Sequence, residues 1–158
     1  MNTRLIAGLI LLYLLGVVAT TFAAEQKTIY ENIDASSNHT ILLSAVKEAR
    51  LEITLSVKGT NTLFAPSDEA FKKLSQDQLS KLIEDKDSFR KILLAHFVVG
   101  KAISSDELKS MPGKELNGFQ ISVKDDGTRI GNAKVIAADL KKCSNGIMHT
   151  IDTVLIPK

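Results

Sequence analysis

The chain has 158 residues, 44% of them hydrophobic and 24% charged, with a formal net charge of +2 and one cysteine. That length suits one domain with a real core, and near-neutrality excludes a nucleic-acid binder held by electrostatics. A single cysteine excludes an internal disulfide.

The first segment needs separate treatment. After "MNTR", the run Leu5 to Ala24 carries no charge, and the first acid is Glu25. A basic start, an apolar centre and a small-residue end at Thr21-Phe22-Ala23 describe a secretory signal peptide over residues 1–23, leaving a domain over 24–158. The same run is long enough to serve as an uncleaved membrane anchor. Export or anchorage at the cell envelope follows either way.

Next, Ile29 and Ile33 suggest a short helix. A longer one is expected to follow, capped by Asn38, with Ile41, Leu42, Ala45, Val46 and Ala49 at helical spacing. Asn38-His39-Thr40 is also a glycosylation sequon in a eukaryotic context. "LEITLSVKGTN" is undecided, because Leu51, Ile53 and Leu55 alternate before a loop at Gly59.

"TLFAPSDEAFKKL" then joins a strand to a helix. Pro66 cannot donate to a ladder and ends the strand, Ser67 caps the helix, and Asp68 and Glu69 complement its dipole. Ser75 with Gln78 predicts a capping box, with Leu79, Leu82 and Ile83 facing inward. Asp87 is expected to start another helix, whose apolar face is Phe89, Ile92, Leu93 and His96. Ser104 and Glu107 repeat the capping pattern.

From Phe119 the character changes. Strands are expected at Phe119–Val123, near Arg129–Ala133 and near Val135–Ala138, with a turn at Asp125-Asp126-Gly127. A last strand follows "SNG", with Ile147, Ile151 and Val154 apolar. Helices early and strands late indicate an α+β class. Cys143, in "KKCSNG", reads as a small, partly buried filler near that turn.

Motifs that carry chemistry are missing from the sequence. There is no G-x-S-x-G, H-E-x-x-H, phosphate-binding glycine loop or dinucleotide fingerprint. His39, His96 and His149 have no ligand spacing, and Asp125-Asp126-Gly127 lacks the rest of a calcium loop. His96 and His149 read as hydrogen-bonded core residues, and Asp152 as a partner for nearby backbone or for His149.

Two blocks resemble those of fasciclin-like domains. Thr62-Leu63-Phe64-Ala65-Pro66-Ser67-Asp68-Glu69-Ala70-Phe71 matches T-x-F-A-P-[ST]-[ND]-x-A-F. Asn145 to Pro157, "NGIMHTIDTVLIP", matches N-G-x-[IV]-H-x-[IV]-D-x-[VL]-L-x-P with Met148 in the aliphatic slot. Between them "LLAHFVVG", Leu93 to Gly100, resembles the family's Tyr-His element, with Ala95 in place of tyrosine.

The resemblance implies a wedge-shaped β-sandwich with helices packed against it, in which the two blocks pair centrally. Phe64, Pro66, Asp68, Phe71, His96, Gly100, Asn145, Gly146, His149 and Asp152 are then mainly scaffold. It also implies an exported, non-enzymatic module for adhesion or protein–protein interaction at the envelope or matrix, without cofactor or metal, most like the single-domain secreted or periplasmic bacterial members. In animal matrix members the Tyr-His region is associated with integrin recognition, and Ala95 departs from that pattern. The expected contact surface is the segment from Leu94 through Phe97 to Ile103, with the outer side of the Ser67–Leu74 helix. A carrier of a small apolar ligand, lipid or pigment, is the alternative, against which two Tyr and no Trp count mildly. A hydrolase using His96 or His149 is the most distant reading.

Overall fold

The computed structural model describes residues 26–157; the expected signal peptide lies outside them. The described residues begin with three short helices, α1 (Ile29–Asp34), α2 (Thr40–Glu48) and α3 (Glu52–Ser56). Thr28 and Glu31 form a reciprocal capping box at α1. The undecided segment is helical: Leu51 and Leu55 are buried four apart, while Ile53 points to solvent. Three alternating apolar residues fit period 2, but positions four apart fit a helical turn equally well.

Strand β1 (Asn61–Pro66) is buried along its whole length. It leads into α4 (Asp68–Lys72), α5 (Gln76–Glu84) and α6 (Lys86–Ala95). Ser67 caps α4 as expected, its hydroxyl accepting from the Ala70 amide. The Ser75–Gln78 capping box also forms. The cap of α6 is Asp85 rather than Asp87, because the Asp85 carboxylate accepts from both the Asp87 and Ser88 amides. Leu82 is buried; the side chains of Leu79 and Ile83 lie outside the described residues.

After β2 (Phe97–Val98) and α7 (Ser105–Lys109) come β3 (Glu115–Leu116), β4 (Phe119–Lys124), β5 (Gly127–Ile130), β6 (Ala133–Cys143) and β7 (Gly146–Ile151). The two strands expected near Arg129–Ala133 and Val135–Ala138 are divided differently. Gly131 at φ +57° turns the chain, and everything from Ala133 to Cys143 is one strand. The final strand stops at Ile151, and Val154 is buried beyond it.

The strands run β2-β1-β7-β6-β5-β4-β3 in one mixed sheet. Strands β1 and β7 pair in parallel, with Asn61 opposite Gly146, Phe64 opposite His149 and Pro66 opposite Ile151. The two sequence blocks are therefore central ladder partners. A parallel pair covered on both faces explains why β1 is buried without alternation.

Leu63, Ala65 and Met148 point to one side, into a core completed by α1 to α6; Phe64 and Ile151 point to the other. There they meet Phe119 and Ile121 of β4, Ile130 of β5 and Leu155, so the far end of the sheet folds back over the centre. The bend falls in β6, which pairs β5 through its first residues and β7 through the rest, with register shifts between Val135 and Ala137 and between Ala137 and Lys141. The result is the α+β sandwich with a helical layer on one outer face.

Candidate functional site

The residues with the most chemistry lie at the two ends of the β1–β7 pair. At the amino-terminal end Asn145, in the turn from β6, is buried. Its Oδ1 accepts from the Ile29 amide at 2.8 Å, and its Nδ2 donates to the Leu55 carbonyl at 2.8 Å and the Val57 carbonyl at 3.0 Å. One amide thus satisfies the start of α1 and the end of α3. Its own carbonyl accepts from both the backbone and the side chain of Asn61. Gly146 follows at φ +154°, and a Cβ there would stand 2.1 Å from the Asn61 carbonyl oxygen. Only glycine lets the strands close at this point.

The loop after β2 is fixed from the same end. The Thr62 hydroxyl donates to the Lys101 carbonyl at 2.7 Å and accepts from the Ile103 amide at 2.8 Å. Gly100, at φ +79°, donates its amide to Asn61 Oδ1 at 3.2 Å. The sequence puts Asn61 in the loop with Gly59, whereas it opens β1, and marks Thr62 only as the first residue of its block, not as a tether. Their signal was polarity inside a strand otherwise built for burial on both faces.

His96 and His149 sit in the interior as expected. His96 Nδ1 donates to the Ile92 carbonyl at 2.8 Å, and Nε2 accepts from the Leu155 amide at 2.9 Å. This arrangement fixes the neutral tautomer, and burial pushes the imidazole pKa down to about 4 against the opposing pull of the Ile92 carbonyl. His149 Nε2 donates to the Ile103 carbonyl at 2.7 Å, and its ring stacks on Phe64 with centroids 5.5 Å apart. Cys143 is buried and accepts from Asn32 Nδ2.

At the carboxy-terminal end of the pair, Asp68 does more than complement its own helix. Its carboxylate accepts from the Ile41 amide and the Thr40 hydroxyl, at 2.9 and 2.8 Å, so it caps α2 from 27 positions away. The expected cap, Asn38, instead gives its carbonyl to the Asp68 amide. Burial raises the Asp68 pKa, but the bonds from Ile41 and Thr40 and the nearby His39 outweigh it, and the net shift is downward. Asp152 behaves similarly. Burial pushes it up, while the Lys134 amide at 2.8 Å, Lys73 at 3.1 Å and the Thr153 hydroxyl bring it below the usual range. The expectation that Asp152 serves nearby backbone is met by Lys134.

These groups line an open groove of about 740 Å³ with Ser36, His39, Ser67, Asp68, Lys73 and Asp152 on its walls. His39 Nδ1 shares a proton with the Ser36 hydroxyl at 2.7 Å and Nε2 with the Thr150 hydroxyl at 3.2 Å. Among the described residues, no three His, Cys, Asp or Glu side chains gather to hold a metal ion.

The expected contact surface needs correction. Phe97 is 5% exposed and Ile103 0%: the first packs into the helical core and the second into the other. The resemblance misled here: the surface is carried over from the family's Tyr-His region, whereas in this chain Phe97 and Ile103 fill the two cores. From that segment Leu94 (38% exposed) and Val99 (70%) do reach solvent. Phe71 is buried, while Glu69, Lys72 and Lys73 form the outer side of α4.

A family model for the fasciclin domain matches residues 37–157. The chain belongs to the fasciclin domain family. It is 36% identical over 147 residues to protein sll1483 of Synechocystis, a match covering 89% of this chain and 79% of that one. It is 31% identical over 135 residues to transforming growth factor-beta-induced protein ig-h3 of Sus scrofa, covering 82% of this chain and 19% of the relative. Human periostin is 27% identical over 136 residues, of which this chain spans 16%. Among solved structures, a FAS1 domain pair from the insect cell adhesion molecule fasciclin I superposes with a TM-score of 0.69 at 20% identity, over 83% of this chain and 51% of that one. The fold is therefore the fasciclin fold, in a family that is generally non-catalytic. Among the described residues no helix is long and apolar enough to cross a membrane.

Proposed function

We propose that the protein is an exported, non-enzymatic fasciclin module that makes protein contacts at the cell envelope or in the matrix. One observation carries this reading: the two buried histidines and Asn145 of the family motifs are engaged with main-chain groups of the interior. His96 holds Ile92 and Leu155, His149 holds Ile103, and Asn145 holds Ile29, Leu55 and Val57. Groups so committed build a rigid scaffold and are not available as nucleophile or general base. The surface left for recognition is the outer side of α4, its adjoining groove, and Leu94.

The test is purification of the protein from its native envelope, followed by an absorption spectrum, a lipid extract and cross-linking through Lys72 or Lys73. An empty protein cross-linked to one envelope partner supports the module. A stoichiometric lipid or pigment replaces it with the carrier reading.

A further inference from the structure

The described surface carries a few strongly exposed large apolar residues, and three of the most exposed stand together. Ile53 is 81% exposed and Val57, one turn later, 50%; the opposite side of α3 is anchored by Leu51 and Leu55. Val99, 70% exposed, lies at the same end of the fold, in the segment that Asn61 ties to Val57. Asn61 donates through Nδ2 to the Val57 carbonyl at 3.3 Å, and its Oδ1 accepts from Gly100, the next residue after Val99. One buried amide side chain therefore tethers both segments, at the amino-terminal end of β1. Exposed apolar residues scattered singly need no explanation, whereas a cluster on a fixed platform does.

Where the chain enters the fold identifies what covers this cluster. Gln26 and Lys27 lie in a groove shared with Ser56, Lys58 and Asn145, at that same end. The Lys27 carbonyl is fixed there by the Ser144 amide at 3.0 Å. Leu5 to Ala24 is the uncharged run, and only Glu25 separates it from Gln26. Twenty uncharged, mostly apolar residues match the roughly 30 Å of a bilayer's hydrocarbon. Two residues of extended chain reach at most about 7 Å. Where that run serves as an uncleaved anchor, the bilayer surface is within that distance of the end that bears Ile53, Val57, Lys27 and Lys58.

We infer that this end of the domain is a membrane-docking face, in which Ile53, Val57 and Val99 enter the interfacial region of a lipid bilayer while Lys27 and Lys58 meet anionic headgroups. Aliphatic tips beside lysines are what such a surface requires: apolar area gives insertion, and each lysine near anionic lipid adds to it. The inference rests on the envelope reading above and gives the module an orientation. Strand β1 runs from Asn61, at the lipid, to Pro66, about 17 Å away along the strand. The groove of Ser67, Asp68 and Asp152 and the outer side of α4 then face away from the membrane, toward partners.

The experiment uses the full chain with a single cysteine replacing Ile53, Val99 or Ile136, each carrying an environment-sensitive fluorophore. Ile136 is the control: an exposed aliphatic residue on the wall of the groove at the opposite end. Unsubstituted protein gives the background from the buried Cys143. Vesicles of phosphatidylglycerol and phosphatidylethanolamine, with and without spin-labelled lipid, are the probe, and phosphatidylcholine vesicles are the comparison.

The expected result is a blue-shifted signal at positions 53 and 99, quenched several-fold more by lipid-borne spin label than the signal at 136. Lys27→Glu with Lys58→Glu should lower that response on the anionic vesicles by about thirtyfold or more, at roughly 1 kcal/mol for each lysine lost and a further loss from charge reversal. Equal quenching at all three positions, or signals at 53 and 99 unchanged from buffer, overturns the docking face. Labels at 53 and 99 that stay quiet in lipid but cross-link to an envelope protein also overturn it, and leave the interaction-module reading standing.

Discussion

Gly146 and Asn145 are neighbours whose replacement should fail for different reasons. In Gly146→Ala the new Cβ would meet the Asn61 carbonyl at 2.1 Å, with φ in a region that side chains avoid. The β1–β7 ladder must shift at its first rung, at a cost of about 3 kcal/mol or more. Asn145→Ala leaves the backbone geometry intact but removes partners from Ile29, Leu55 and Val57, and we expect a loss of about 2–4 kcal/mol in chemical denaturation. The two should also differ in amide exchange, with the Ile29 amide unprotected in Asn145→Ala.

His96 gives a pH-dependent prediction. Its folded pKa, about 4, lies below the unfolded value of 6.5, so the unfolded chain takes up the proton first. Stability should fall as pH drops from 6.5 to about 4, by an amount on the order of 3 kcal/mol, and this contribution should not change further below that. His96→Gln can keep a donor toward Ile92 and an acceptor for Leu155 without titrating. Its melting temperature should lose that part of the slope. Asp68 and Asp152, both held below the ordinary carboxylate value of 3.8, contribute stability that disappears only at lower pH.

Between residue and fold, the informative element is the corner from β1 to α4. Pro66 and Ser67 end the strand and cap the helix as sequence reasoning expects, but the acid beside them joins two helices. Asp68 occupies the first turn of α4 and terminates the amino end of α2 with its carboxylate. Asp68→Ala should cost about 1–2 kcal/mol, the usual worth of a lost cap. Exchange at the Ile41 amide should rise, whereas Asp68→Asn, which keeps an acceptor oxygen, should fall between. If Ile41 exchange is unchanged in Asp68→Ala, the long-range cap is not what holds α2. The pattern of legibility follows from this. Local caps (Ser67, Ser75 with Gln78, Ser104) could be read because donor and acceptor lie three residues apart. Asp68 over Ile41 and Asn145 over Ile29 could not, because their partners are set by tertiary placement. In the same way, the helix over Glu52–Ser56 was ambiguous in five residues, and the single long strand β6 was divided because its bends interrupt the alternation. The resemblance of two blocks supplied the central pairing that periodicity alone did not contain.

At the level of the whole molecule, the fold depends on joining segments far apart in the chain. Asn61 and Asn145 are 84 positions apart, yet they anchor the same end of the parallel pair. Strand β7 stands between β1 and β6, and its Met148 and Ile151 enter the two cores separately. Without residues 145–158, β1 keeps only the two-residue β2 as a neighbour, α1 and α3 lose Asn145, and His96 loses the Leu155 amide. A chain ending at Ser144 therefore retains most of its helices in sequence but lacks the strand that makes their apolar faces mutually satisfiable. We expect it to show residual helical circular dichroism, no cooperative thermal transition and rapid proteolysis throughout. The complete domain should melt in one step and fold slowly for its size, because the central pairing must close a long loop before any core can form. A truncated chain that still melts cooperatively would mean that the helices before β2 make a self-sufficient unit. The two cores would then be separable, and the β1–β7 pair would no longer account for the stability of both.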